Sequence, residues 1–215
     1  MANFADWTPE ILPDVPGCPD PLIEDSVRDV VIDFCQRTRW LTKVNATAAD
    51  VTGGASERVF AAPLLAAGNR VVEVKAAWYL DKPLDLWTPD EAEESLGSTW
   101  ATQTGEPRAI VMDRLDTYYV APSPTVTVAT ALKMRLATAP LPTATTCDDL
   151  IRNRWREAIK NGAIARLCIM RDKKWTNPDR AGISAGIYGG AVASAQLAAA
   201  RGMTRRTLQV RPVFF

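Results

Sequence analysis

Apolar residues step along the early chain at helical spacing. Asp20-Pro21 supplies a cap followed by proline at the first helical position, and Ile23, Val27, Val30, Val31, Phe34 and Leu41 then fall on one face. The spacing predicts a helix over 21–42, with Glu24/Arg28 and Asp33/Arg37 as i,i+4 pairs on its outer side. Ahead of it, Pro9, Pro13, Pro16 and Pro19 stand among acidic residues and predict an extended arm over 7–20. After Val44 the period changes. Gly53-Gly54 and Gly68-Asn69 read as turns, Arg70 to Tyr79 as a strand, and 109–112 with 117–121 as a hairpin through 113–116. Residues 125–136 alternate as a long strand that Pro140 and Pro142 end. Thr88-Pro89-Asp90-Glu91 is a capping box opening a short helix to about Leu96. Helix returns with Thr146 as its cap, and Ile151, Trp155, Ile159, Ala163, Leu167 and Met170 form its stripe. After a loop over 171–176, Asn177-Pro178 repeats the cap-plus-proline signal. It opens a last helix to about Arg201, with Gly202 as the C′ residue.

These elements predict an α+β fold: an α-helical bundle built from N- and C-terminal helices, an inserted small antiparallel β-domain, and an extended C-terminal tail. The expected divisions are an arm and bundle helix over 1–44, a β-module with a short helix over 45–146, bundle helices over 147–203 and a tail over 204–215. A chain of 215 residues suffices for one domain with a real core, or two small modules sharing one.

Composition narrows the function more than the fold. Lys+Arg and Asp+Glu balance at 25 each, so no overall field draws the chain to nucleic acid or a membrane surface. There is no histidine, which removes His-dependent triads, His zinc sites and the commonest general base near neutral pH. Cys18, Cys35, Cys147 and Cys168 form no C-x-x-C pair, and Cys35 and Cys168 sit among apolar helix residues as small buried hydrophobes. The opening Met1–Asp6 shows neither a basic segment nor an apolar run, so no secretory signal is expected and a reducing cytoplasm is the expected site of synthesis.

Four stretches have chemistry to weigh. Residues 181–200 carry no charge, are about as long as a bilayer helix, and place Gly182, Gly186 and Gly190 at the spacing of membrane dimers. Alanine and glycine bring little transfer energy and Ser184, Ser194 and Gln196 are costly in lipid, so a soluble helix in close contact with a helix or subunit is preferred. Arg152, Arg156 and Lys160 share one helix face. They read as a basic surface for phosphates or an acidic partner, or, preferably, as a solvated face, since no aromatic residues interleave. Asp90, Glu91, Glu93 and Glu94 resemble paired carboxylates, but in the first turns of a helix they act first on its dipole. Gly53-Gly54 lacks the Gly-Lys-Ser/Thr of a phosphate loop, and Gly-x-Ser-x-Gly is absent. No catalytic, cofactor-binding or metal-ligating residue is expected. The tail over 205–215 either finishes the β-module as an edge strand or reaches a neighbouring subunit or partner, where its terminal rings find burial.

Three stretches carry a resemblance: Pro21 through Cys35; Leu86-Trp87-Thr88-Pro89-Asp90-Glu91 through Gly105-Glu106-Pro107-Arg108 to Pro122-Ser123-Pro124; and Lys174-Trp175-Thr176-Asn177-Pro178 leading to Ala199-Ala200-Arg201. Together they resemble the head-to-tail adaptors of tailed bacteriophages, also called gatekeeper or tail tubular A-type proteins. The resemblance implies a non-enzymatic virion protein of the neck, without cofactor. It implies a ring, usually of twelve copies, docked under the portal and joined to a tail tube or nozzle protein. DNA passes such a channel without sequence-specific contact, and no membrane is involved. The family's C-terminal segment contacts the portal, which points here to Arg205, Arg206, Leu208, Val210, Arg211, Val213, Phe214 and Phe215. The Gly-rich last helix departs from the family pattern around Gly186–Gly190. Another tail or neck component, such as a tail-completion or tail-tube protein, is the alternative, with a membrane-associated helical protein behind it.

Overall fold

A computed structural model describes residues 1–201 except 46, 55, 56 and 115. In chain order its elements are β1 (Ala2–Asn3), α1 (Thr8–Ile11), α2 (Asp20–Thr38), β2 (Thr42–Val44), β3 (Ala49–Val51), β4 (Arg58–Val59), β5 (Asn69–Tyr79), β6 (Lys82–Trp87), α3 (Pro89–Leu96), β7 (Ala109–Val111), β8 (Thr117–Ala121), β9 (Val128–Pro140), β10 (Thr146–Cys147), α4 (Asp149–Cys168) and α5 (Pro178–Ala200). The chain divides into two compact units, one of Met1–Trp40 with the chain from Ala144, the other of Leu41–Thr143.

In the first unit the apolar stripe of α2 is buried as its spacing requires, with Ile23, Val27, Val31 and Phe34 closed to solvent. The helix begins one residue earlier than the cap signal suggests. Pro19 is its N-cap and Asp20 lies in the first turn, where a carboxylate favours the dipole. It ends at Thr38 rather than Thr42, because Arg39 turns into the left-handed region (φ 50°) and 42–44 join a strand. Asp33–Arg37 forms, whereas Arg28 takes Asp25 at 2.5 Å instead of Glu24. The predicted extended arm is instead a run of helical turns: 3-10 turns at Phe4–Trp7 and Leu12–Asp14 flank α1. Pro9 and Pro13 stand in first-turn positions where a missing N–H costs nothing, so they start turns rather than break them. Phe4, Trp7, Ile11 and Val15 are thereby buried on one face.

Thr146 is a strand residue paired with Asn3, and Asp148 caps α4 by accepting from Leu150 N–H at 2.9 Å. Inside α4, Trp155 leaves helical geometry (φ −120°, ψ 18°) and kinks it. Its ring packs on Phe34 and edge-on to Trp40. Gly162 sets the closest approach in this unit: a Cβ there would lie 2.5 Å from Val30 Cγ1 and 3.0 Å from the Tyr188 ring. Helices α2, α4 and α5 therefore meet around a missing side chain. Tyr188 O–H donates to Asp33 at 2.7 Å across the same contact.

The second unit overturns the expected fold class. It is no small antiparallel insert but a unit of nearly half the chain built on an eight-stranded mixed sheet, in the order β2-β9-β5-β6-β7-β8-β4, with β3 also on β9. An N- and C-terminal bundle carrying a minor β-domain therefore does not describe this molecule. The long antiparallel pair β5–β9 is its spine, with register shifts between Val71/Glu73 and Val74/Ala76. β9 starts at Val128 and runs on to Pro140, which faces Asn69. β6 pairs parallel with β7, and the crossover holds α3. β2, β3 and β4 are two or three residues long, too short to show alternation, and β6 contains Pro83 and buries only Leu84. The core of this unit gathers Phe60, Val74, Ile110, Val120, Leu132 and Met134. Local chemistry held: Thr88 Oγ1 accepts from Glu91 N–H at 3.3 Å while Glu91 accepts from Thr88 N–H at 2.7 Å, a complete capping box.

Candidate functional site

The carboxylates 90–94 belong to that capped helix, with Asp90 and Glu91 in its first turn. Among the described residues no group of three or more His, Cys, Asp or Glu side chains is placed to hold a metal ion. A cavity of about 540 Å³ in the β-unit is lined by Asp50, Arg58, Tyr118 and threonines including Thr130. Its groups serve the fold: Arg58 Nη2 donates to Thr52 O at 2.8 Å and Ser123 Oγ at 3.1 Å, and Asp50 accepts from Thr130 N–H at 2.8 Å. Burial lowers the guanidinium pKa there and raises that of the Tyr118 hydroxyl.

The basic row of α4 is neither a free phosphate surface nor a merely solvated face. Arg152 meets Asp6, and Arg156 Nε meets Glu10 at 2.8 and 2.7 Å. Lys160 lies 4.0 Å from Asp14, which also accepts from Arg180 at 2.5 Å. Acids at 6, 10 and 14 match bases at 152, 156 and 160 because both segments are helical and repeat every four residues. The equal spacing was present in the sequence. An extended arm cannot present Asp6, Glu10 and Asp14 on one side, whereas the helical turns over 4–14 do. These pairs are half-buried and still reached by solvent, so they set register more than they add stability. Arg154, off this row, lies over the Trp40 and Trp155 rings at 5.7 and 5.9 Å.

All four cysteines are buried and unpaired. Burial pushes the Cys35 thiol well above the usual range. Burial, with Asp148 and Asp149 beside it, pushes Cys147 up to about 12. The folded state thus holds these protons above pH 9, where the unfolded chain releases them, so stability is full below about pH 9 and falls as pH rises towards 12. Urea unfolding at pH 7, 9 and 10.5 is expected to show this decline, with the native thiols resisting alkylation at pH 8. Rapid native-state labelling of Cys35 or Cys147 would contradict it.

Helix α5 presents two unlike sides. Ala181, Ser184, Val192 and Ala195 are buried against its own unit. The opposite side shows Gly182, Gly186, Gly189 and Gly190, where a Cβ would meet nothing within 4 Å. Beside them Ile183, Ile187 and Leu197 are 61, 51 and 53% exposed. Among the described residues, therefore, the closest helix–helix approach is at Gly162 and not at these glycines. The helix is long and apolar enough to cross a membrane by length and composition, at mean hydropathy 1.2. The portal-binding candidates, Arg205 to Phe215, lie outside the described residues.

A family model described as SU10 adaptor protein matches residues 1–212. No curated protein matches the chain.

Proposed function

The chain belongs to the SU10 adaptor protein family, a phage head-to-tail adaptor family, and on that premise we propose that it is a structural virion protein forming a ring beneath the portal. The ring, of about twelve copies by the family resemblance, links capsid to tail and frames the channel through which DNA passes without base-specific contact. Its partners are the portal above and a tail tube or nozzle protein below. The protein is made in the host cytoplasm and ends in the neck of the virion. The match over nearly the whole chain carries this reading. The balanced charge and the tied-down charges of α4 support it, since they leave geometry rather than a long-range field to organise assembly.

Arg205, Arg206, Leu208, Val210, Arg211, Val213, Phe214 and Phe215 are proposed to reach the portal. Deleting 205–215 is expected to leave a chain with wild-type helicity and melting temperature that no longer co-sediments with portal rings. Retained portal binding, or loss of folding, would remove the tail from this role.

A further inference from the structure

We propose that the cavity in the β-unit is a binding site for a carboxylate carried on a short apolar stem, with the Tyr118 hydroxyl donating to it. The site is independent of the ring reading above. One wall of the cavity comes from the chain around β3 and the other from β4 and the residues after it, the two strands that border the sheet. Arg58 of β4 and Tyr118 of β8 are partners in the antiparallel register, so their side chains leave the same face of the sheet and both line the cavity. Tyr118 is only 3% exposed, yet among the described residues its hydroxyl has no hydrogen-bond partner. Unlike the indole N–H of Trp7, which is sealed off, the phenol oxygen keeps access to the cavity. A hydroxyl on so deeply buried a ring is costly to leave unpaired, and the cavity is where an acceptor can reach it.

The surroundings select the acceptor. Arg58 stands beside the phenol and gives that end of the cavity a positive field, which favours an anion. Burial works against the guanidinium charge, so an anion seated there restores solvation that the fold withholds. Among the described lining residues the charged groups are Arg58 and Asp50, and Asp50 is held by the Thr130 N–H at 2.8 Å. A doubly charged phosphate would face Asp50 with one charge uncompensated, whereas a single carboxylate is matched by Arg58. The rest of the lining includes Ala48, Val59, Pro63 and Leu64, which suit an apolar stem. Both polar groups are fixed in advance. Arg58 is tied to Thr52 O and Ser123 Oγ, and the Tyr118 ring packs on Phe60 with centroids 4.7 Å apart. The acid can be a free small molecule or a glutamate side chain on a partner protein, since both present the same carboxylate on the same kind of stem.

The test uses the full chain with hexanoate and its neutral counterpart hexanamide, and a blocked tripeptide centred on glutamate with the same peptide centred on glutamine. Saturation-transfer NMR reads the binding of each probe. Spectra of the chain carrying carbon-13 tyrosine report whether Tyr118 responds, its signal being identified by its loss in Tyr118→Phe. At least one of the two acids is expected to bind and shift the Tyr118 signal, with its amide weaker by about tenfold or more. Tyr118→Phe keeps the ring on Phe60 and removes an oxygen that bonds nothing in the chain, so its melting temperature should match the wild type. Its affinity for the acid should fall by about tenfold, the loss of one hydrogen bond to a charged acceptor. Binding of the glutamate peptide alone supports the site and assigns it to an acidic residue of a partner protein. Binding of hexanoate alone supports it and assigns it to a free acid, and binding of both supports the shared chemistry. Amides that bind as well as the acids, a Tyr118→Phe chain that binds like the wild type or melts well below it, or no binding of either acid overturns the site. None of these overturning results bears on the ring reading.

Discussion

Replacing Gly162 by alanine is expected to destabilise the helical unit by about 1 kcal/mol, and by leucine by about 3 kcal/mol or more. Two effects oppose each other. Alanine in a helix interior gains up to about 1 kcal/mol over glycine. Against this, the new Cβ would stand 2.5 Å from Val30 Cγ1, far inside the roughly 3.5–4.0 Å at which carbon atoms attract, with the Tyr188 ring closing the other side at 3.0 Å. Housing the methyl requires Val30 to give way, α4 to move from α2, or Tyr188 to shift from Asp33. The overlap is with one named methyl group, so the cost should be coupled to it. In the background of Val30→Ala, Gly162→Ala is expected to be neutral or stabilising, with a coupling of about 1 kcal/mol in a double-mutant cycle followed by circular dichroism. Additive losses would show that the helices do not cross there.

Trp7→Ala should cost about 3–5 kcal/mol, the range for a large aromatic truncated in a core. Trp7 is fully buried in the company of Phe4, Ile11 and Val15, and the Arg152 guanidinium lies 5.5 Å from its ring centre. An arm laid on the surface would give a small effect. Arg156→Ala, which removes a solvent-reached guanidinium from the half-buried Glu10, should cost far less than Trp7→Ala in the same urea titration. Equal losses would mean that charge rather than burial fixes the arm.

Features encoded within a few residues were legible in the sequence. Thr88 and Glu91 satisfy each other's backbone, so the capping box needs nothing distant. Asn177-Pro178 likewise opens α5, where Asn177 accepts from Arg180 N–H at 3.0 Å. Features that depend on distant partners were not. β2, β3 and β4 exist because β8 and β9 offer edges to pair with, and two or three residues cannot announce that. Prolines at 9 and 13 have opposite meanings in an arm and at the start of a turn, and the burial of Trp7 and Ile11 decides between them. The glycines misled by position: the regular series in α5 faces outward, while the solitary Gly162 makes the close contact. The candidate surface was half visible, as an uncharged small-residue helix. Which side of it stays open required knowing where Ser184 and Val192 are buried.

The most direct measurement of the central claim is negative-stain microscopy of the full chain mixed with portal rings of the same phage at physiological salt. The account predicts an added, rotationally symmetric layer on one end of each portal, from which the copy number can be counted. Intact portals without that layer, across a concentration series, would contradict it.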